Sequence, residues 1–312
     1  MTKNDWDSLE YREYNKTLNK TLWGTVLYLF VFQVGTLLST VSLMMPGRLG
    51  SVESMANNSG IPYFIGVGLG LLLIYAISTP AQRQQYFARG LQQMSLKAGA
   101  VFVVILLAVQ ALTSIYSGVV EGLLNGFGYS ASEQVANATN GGSSLSMILY
   151  TALLAPIAEE IVFRGFILRN LQKYGIKLAI VVSAIMFGLA HANIIQTPFA
   201  FVLGLVLGYV AYKYGIVWSI GMHLFNNLIL GSVLSDFYKL LGGFGGLVSI
   251  IVSVGSILIV LYLWFINSDK LKQCGQKYKI KEGLLTRVIC LPSILLTVWA
   301  LMQIFGTLTK KG

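Results

Sequence analysis

Nine stretches of mainly apolar residues, separated by short polar connections, decide which solvent this chain folds in. A helix needs about 20 such residues to cross the ~30 Å hydrocarbon core of a bilayer. Runs of that kind cover about 22–45, 61–79, 99–120, 144–170, 176–192, 198–213, 215–234 and 245–266, with a ninth at about 288–307. Pro46, Pro62, Pro80 and Pro198 fall at run ends, where a missing N–H costs nothing, while Pro156 falls inside a run. Composition agrees. Of 312 residues 55% are hydrophobic and only 11% charged, with a mean hydropathy of +0.70, whereas a soluble domain carries roughly 25% charged residues. The polar surface is too small to coat a water-soluble globule. The expected fold is all-α: a polytopic transmembrane helical bundle of about eight spans, with the ninth run either crossing or re-entrant, in one membrane domain over 1–312.

The net charge of +10 is gathered into clusters between the runs. Lys3, Arg12, Lys16 and Lys20 precede the first run, and Arg83, Arg89 and Lys97 follow the second. Arg169, Lys173 and Lys177 follow the fourth, Lys213 the sixth, and Lys270 through Arg287 the eighth. The odd connections carry no basic excess: Arg48 is offset by Glu53 and Lys239 by Asp236, and 121–143 holds Glu121 and Glu133 without a Lys or Arg. Membrane proteins keep such basic loops in the cytoplasm, so the polar segment 1–21 is expected there, in a bacterial cell membrane. The first run is long enough to span rather than to be a cleaved signal. No basic stripe interleaved with aromatics suggests a nucleic-acid partner. Cys274 and Cys290 match no metal or redox spacing, and the pair Gly204 and Gly208 reads as helix packing.

Two carboxylates lie within an apolar helix, Glu159 and Glu160 in ALLAPIAEEIVFRGFIL. Ionisable groups at membrane depth are costly and mark function by default. Arg164, four residues on, can pair with Glu160 as a structural salt bridge, which leaves Glu159 unexplained. The only two histidines also fall in predicted helices: His191 closes FGLAH, one turn after Phe187, and His223 opens HLFNN, with Asn227 on the same face. Counted from the basic anchors Lys173, Lys177 and Lys213, these residues lie at about 15–21 Å at ~1.5 Å per residue. They share one layer. A carboxylate and an imidazole can hold a water and take its proton, and an amide and a second imidazole can donate to a developing oxyanion. A zinc ion on Glu159, His191 and His223 is the other option, although the HExxH helix of metalloproteases is absent.

These residues resemble a known family. EEIVFR (Glu159 to Arg164) is similar to the EExxxR motif of the CAAX protease and bacteriocin-processing (CPBP, or Abi) family, FGLAH to its FxxxH motif, and HLFNN to its HxxxN motif. The resemblance covers a core of about 144–234. It implies an intramembrane endopeptidase in which Glu159 and His191 activate a water and His223 and Asn227 bind the oxyanion. Glu160, Arg164 and Phe187 would support them. Family members are described both as metal-dependent and as glutamate-type; the residues favour the glutamate type with no required cofactor, because a ligated Glu159 would leave no general base. The implied substrate is a membrane-embedded or lipid-proximal peptide, with a bacterial role such as bacteriocin processing or self-immunity. The oligomeric state is open. A catalytically silent scaffold would not need all four polar groups, and a proton-coupled transporter would show uptake driven by a pH gradient.

Overall fold

The computed structural model describes residues 9–44, 59–131 and 144–310. Lys3, Pro46, Arg48, Glu53 and Glu133 lie outside the described residues, as do 132–143 of the expected polar loop. Eleven helices follow in order: α1 Leu9–Met44, α2 Ile61–Ile77, α3 Pro80–Tyr86, α4 Leu96–Gly126, α5 Leu145–Tyr174, α6 Ile176–His191, α7 Gln196–Tyr214, α8 Ile216–Leu240, α9 Gly243–Ile266, α10 Ser268–Lys277 and α11 Leu291–Gly306. The chain is thus an all-α multi-pass membrane bundle. Six helices are long and apolar enough to cross a membrane by length and composition, and α2, α6 and α11 are shorter apolar helices. All nine expected runs are helical.

Local chemistry sets the helix starts. Thr79 and Gln82 form a capping box ahead of Pro80, Ser95 caps α4 through Ala98 N–H, and Ser144 caps α5 through Met147 N–H. Helix α1 is much longer than its apolar run. The 36 residues of α1 would extend about 54 Å, so its polar first turns, expected only as a segment before the membrane, continue the same helix. Gly215, at a φ of 100°, joins α7 directly to α8 in a backbone geometry that glycine adopts freely.

Hydrogen bonds sort the connections onto two ends of the bundle. At the end holding the start of α1, Tyr14 donates to the Leu284 carbonyl and Thr17 meets the Tyr174 hydroxyl. There too Gln82 donates to Asn170, Arg169 to the Ala211 carbonyl, and Lys281 pairs with Glu10. At the opposite end Gly60 N–H donates to Ser146, and Tyr116 donates to the Ile194 carbonyl. The short strands β1 Tyr129–Ser130 and β2 Thr309–Lys310 pair antiparallel at that end, with Tyr129 opposite Lys310. Helix α11 therefore starts at the α1 end and finishes at the other. It crosses the bundle; it is not re-entrant.

Helices α5 and α6 form the centre. Val162, Phe163, Phe166, Ile167 and Leu168 pack with Val182, Met186 and Phe187, and with Leu203 and Leu207 of α7. Helix α9, by contrast, exposes Leu247, Ile250, Ile251, Val254 and Leu258, the face of a helix against lipid. Three stretches open into wider π turns: 150–154 and 160–168 in α5, and 225–233 in α8. Pro156, which has no N–H to donate, sits just after the first of them. Such π segments recur at functional sites, and the second and third here hold site residues.

Candidate active site

The two adjacent glutamates of α5 point into different surroundings. Glu160 is completely buried. Its Oε1 lies 2.9 Å from Arg164 Nη1 and 2.9 Å from His223 Nδ1, and Ser219 donates to its Oε2 at 2.5 Å. Because a carboxylate oxygen accepts, His223 donates through Nδ1 and presents Nε2 on the opposite side. That side holds Glu159, whose Oε2 lies 3.6 Å from His223 Nε2. The Glu159 side chain keeps 27% of its surface exposed. One imidazole therefore bridges the two carboxylates, one sealed in the core and one open.

Phe187 is the hub on which the remaining groups converge. Its fully buried ring meets the imidazoles of His191 and His223 edge-on, at centroid distances of 4.8 and 5.7 Å. The guanidinium carbon of Arg164 lies 4.3 Å from the same centroid. Arg164 is buried and contacts Glu160 as an ion pair without hydrogen-bond alignment, so the ring face supplies much of its remaining environment. Helix α6 ends at His191, with Ala192 in the left-handed region at φ 45°. His191 Nδ1 lies 2.8 Å from the Phe187 carbonyl. A carbonyl only accepts, so Nδ1 carries the hydrogen and Nε2 is the free lone pair. Ser183 ties the two central helices by donating to the Phe163 carbonyl at 2.7 Å.

Of the residues expected from sequence, Glu159, Glu160, Arg164, Phe187, His191 and His223 form one contiguous cluster. Glu159 and His191 share no hydrogen bond or ion pair. Asn227 stands on α8 one turn beyond His223 and makes its side-chain contact with Asn226, not with the cluster. For the zinc alternative, no group of three or more His, Cys, Asp or Glu side chains gathers as a metal site among the described residues. Each imidazole, with Nδ1 on a protein oxygen, leaves Nε2 for a further partner, an arrangement that metal-binding histidines also use.

Sequence reasoning missed Ser219, Asn226 and Gln110. Ser219 had a signal, since it precedes His223 by four residues and so shares its helix face.

Residues 141–229 match the family model described as type II CAAX prenyl endopeptidase Rce1-like. No curated protein and no solved structure matches the chain.

Proposed function

We propose, from the match of residues 141–229 to the Rce1-like CAAX protease family model, the CPBP or Abi family, that the chain is an intramembrane endopeptidase of the glutamate type. The observation that carries this reading is the split between the two carboxylates. Glu160 is consumed by Arg164, His223 and Ser219, while Glu159 stays part-exposed and meets only the His223 imidazole, at 3.6 Å, among the ion pairs of the described residues.

In the proposed reaction Glu159 takes a proton from a water that His191 Nε2 helps to hold, and the resulting hydroxide attacks the carbonyl carbon. The oxyanion accepts hydrogen bonds from the Asn227 amide and from Nε2 of a doubly protonated His223, whose Nδ1 hydrogen goes to Glu160. The carbon–nitrogen bond then breaks, and Glu159 returns its proton to the leaving nitrogen. Glu160 and Arg164 serve by fixing the His223 ring, and Phe187 by aligning both imidazoles. The substrate is a membrane-embedded or lipid-proximal peptide, in keeping with a site set among spanning helices. The clusters of Lys and Arg favour a cytoplasmic N-terminus, and the short loops and mixed N-terminal segment favour a bacterial membrane, where bacteriocin processing or self-immunity are roles for such an enzyme.

The test compares wild type with Glu159→Ala in one host and catalogues membrane-derived peptides by mass spectrometry. Peptides released only by wild type are expected, and their ends give the cleaved bond. Matching catalogues from two folded, equally abundant proteins would reject the enzyme and favour a peptide-binding scaffold. Stoichiometric zinc in the purified protein, lost together with activity in His191→Ala, would replace the glutamate mechanism with a metal-dependent one.

A further inference from the structure

Helix α4 lies outside the matched segment, yet it sends a polar side chain toward the end of the HLFNN motif. Gln110 interrupts an apolar run, and an amide at membrane depth is retained only where it finds a partner. Its Nε2 donates to Asn226 Oδ1 at 3.1 Å. Asn226, 2% exposed, donates in turn from Nδ2 to Asn227 Oδ1 at 3.0 Å. The order of donors is consistent along the chain. An amide whose oxygen accepts one bond must turn its nitrogen to the other side. Asn227 therefore presents its NH2 group away from Asn226, and that nitrogen has no acceptor among the described residues.

Six residues further along α4, Tyr116 donates to the Ile194 carbonyl at 3.0 Å, in the turn that follows His191. One helix thus braces both chain segments that carry the expected site residues of α6 and α8.

We propose that Gln110 and Asn226 are positioning residues, a side-chain relay that holds the Asn227 amide with its NH2 group toward the oxyanion of the reacting peptide. This inference rests on the endopeptidase reading above. Without Gln110, the Asn226 amide loses the bond that orders it and can rotate by half a turn. It would then offer its oxygen, not its nitrogen, to Asn227, and the Asn227 amide would rotate in response. Asn227 itself would remain, but part of the population would face the site with the wrong atom.

The experiment uses full-length protein in phospholipid nanodiscs. Its probe is an internally quenched peptide spanning the bond identified by the wild-type and Glu159→Ala comparison. Gln110→Leu removes the donor, and kcat is expected to fall about tenfold with KM within twofold, less than the ~10²–10³ loss of a whole oxyanion donor. Gln110→Glu keeps the size of the side chain and adds a pH readout. Its protonated carboxyl donates as the amide does, and its ionised form cannot. Activity of Gln110→Glu is expected to approach wild type in acid and fall as pH rises, whereas wild type keeps its own profile. A Gln110→Leu enzyme with kcat within twofold of wild type, while Asn227→Ala is inactive, would overturn the relay. So would a Gln110→Glu profile parallel to wild type, or a Gln110→Glu protein that fails to fold in acid, since either result makes Gln110 a purely structural residue. If Asn227→Ala cleaves like wild type, the oxyanion role that the relay serves has failed, and if wild type releases no peptide that Glu159→Ala lacks, the endopeptidase reading itself has failed.

Discussion

Glu159 and Glu160 are neighbours in sequence and opposites in surroundings, so the same substitution should have different consequences at each. Glu160→Gln leaves the buried Arg164 guanidinium without its counter-charge and takes one acceptor from His223. Breaking a buried pair from one side costs about 3–5 kcal/mol. The thermal midpoint of Glu160→Gln in detergent is therefore expected to fall clearly below that of wild type. Glu159→Gln is expected to fold with an unchanged midpoint, because that side chain is part-exposed and touches only one imidazole, at 3.6 Å. It should instead lose about 10²–10⁴ in cleavage rate. If Glu159→Gln proves as unstable as Glu160→Gln, the division of labour between them is wrong. At this scale the sequence was highly legible. Two carboxylates, one arginine four residues on and two histidines are scarce groups in an apolar chain, and scarcity singled them out. Asn226 was not legible, since nothing in the local pattern distinguishes the amide that orients from the amide that is oriented.

Between elements, the site depends on how closely α6 and α7 approach. A Cβ added at Gly204 would lie 3.0 Å from the Ala184 backbone and 3.2 Å from the Phe187 ring. Gly204→Val must therefore push α7 away from the aromatic hub, at a cost of about 1–3 kcal/mol typical of overpacking. The expected outcome is a lower midpoint together with reduced cleavage, as the Phe187 ring shifts under both imidazoles. Gly122→Val on α4, where a Cβ meets nothing within 4 Å, is the control and should behave as wild type. Equal effects of the two substitutions would remove the link between this helix contact and the site. The pair Gly204 and Gly208 announced a close helix contact in the sequence. It did not announce the partner, because the small-residue pattern is the same whichever helix it faces. The π turns at 160–168 and 225–233 were equally unannounced, since one wide turn barely alters a hydrophobic pattern.

Among the described residues, an odd number of passes through the bundle separates the start of α1 from β2. The start of α11 lies with the first turns of α1, where Tyr14 bonds the Leu284 carbonyl, and β2 lies beside β1 at the far end of α4. Reporter fusions after residue 310 are expected to be active on the side opposite to fusions at the N-terminus, with the N-terminal reporter cytoplasmic by the charge pattern. Fusions reporting both ends on one side would mean that α11 does not cross in the membrane. The apolar runs, their number and the basic alternation between them were settled by sequence alone, because transfer of a helix into lipid depends on its own composition and length. The scarce polar groups were picked out by sequence as well. Only the tertiary structure decided which helices are neighbours: that α4 braces α8, that Glu160 and not Glu159 is sealed in the core, and that α11 crosses. In a bilayer, lipid and protein are both apolar surroundings for a side chain, so a hydrophobic residue does not reveal which of them it faces. Helix order in the bundle follows from shape and from a few polar contacts between residues far apart in sequence, such as Gln110 and Asn226.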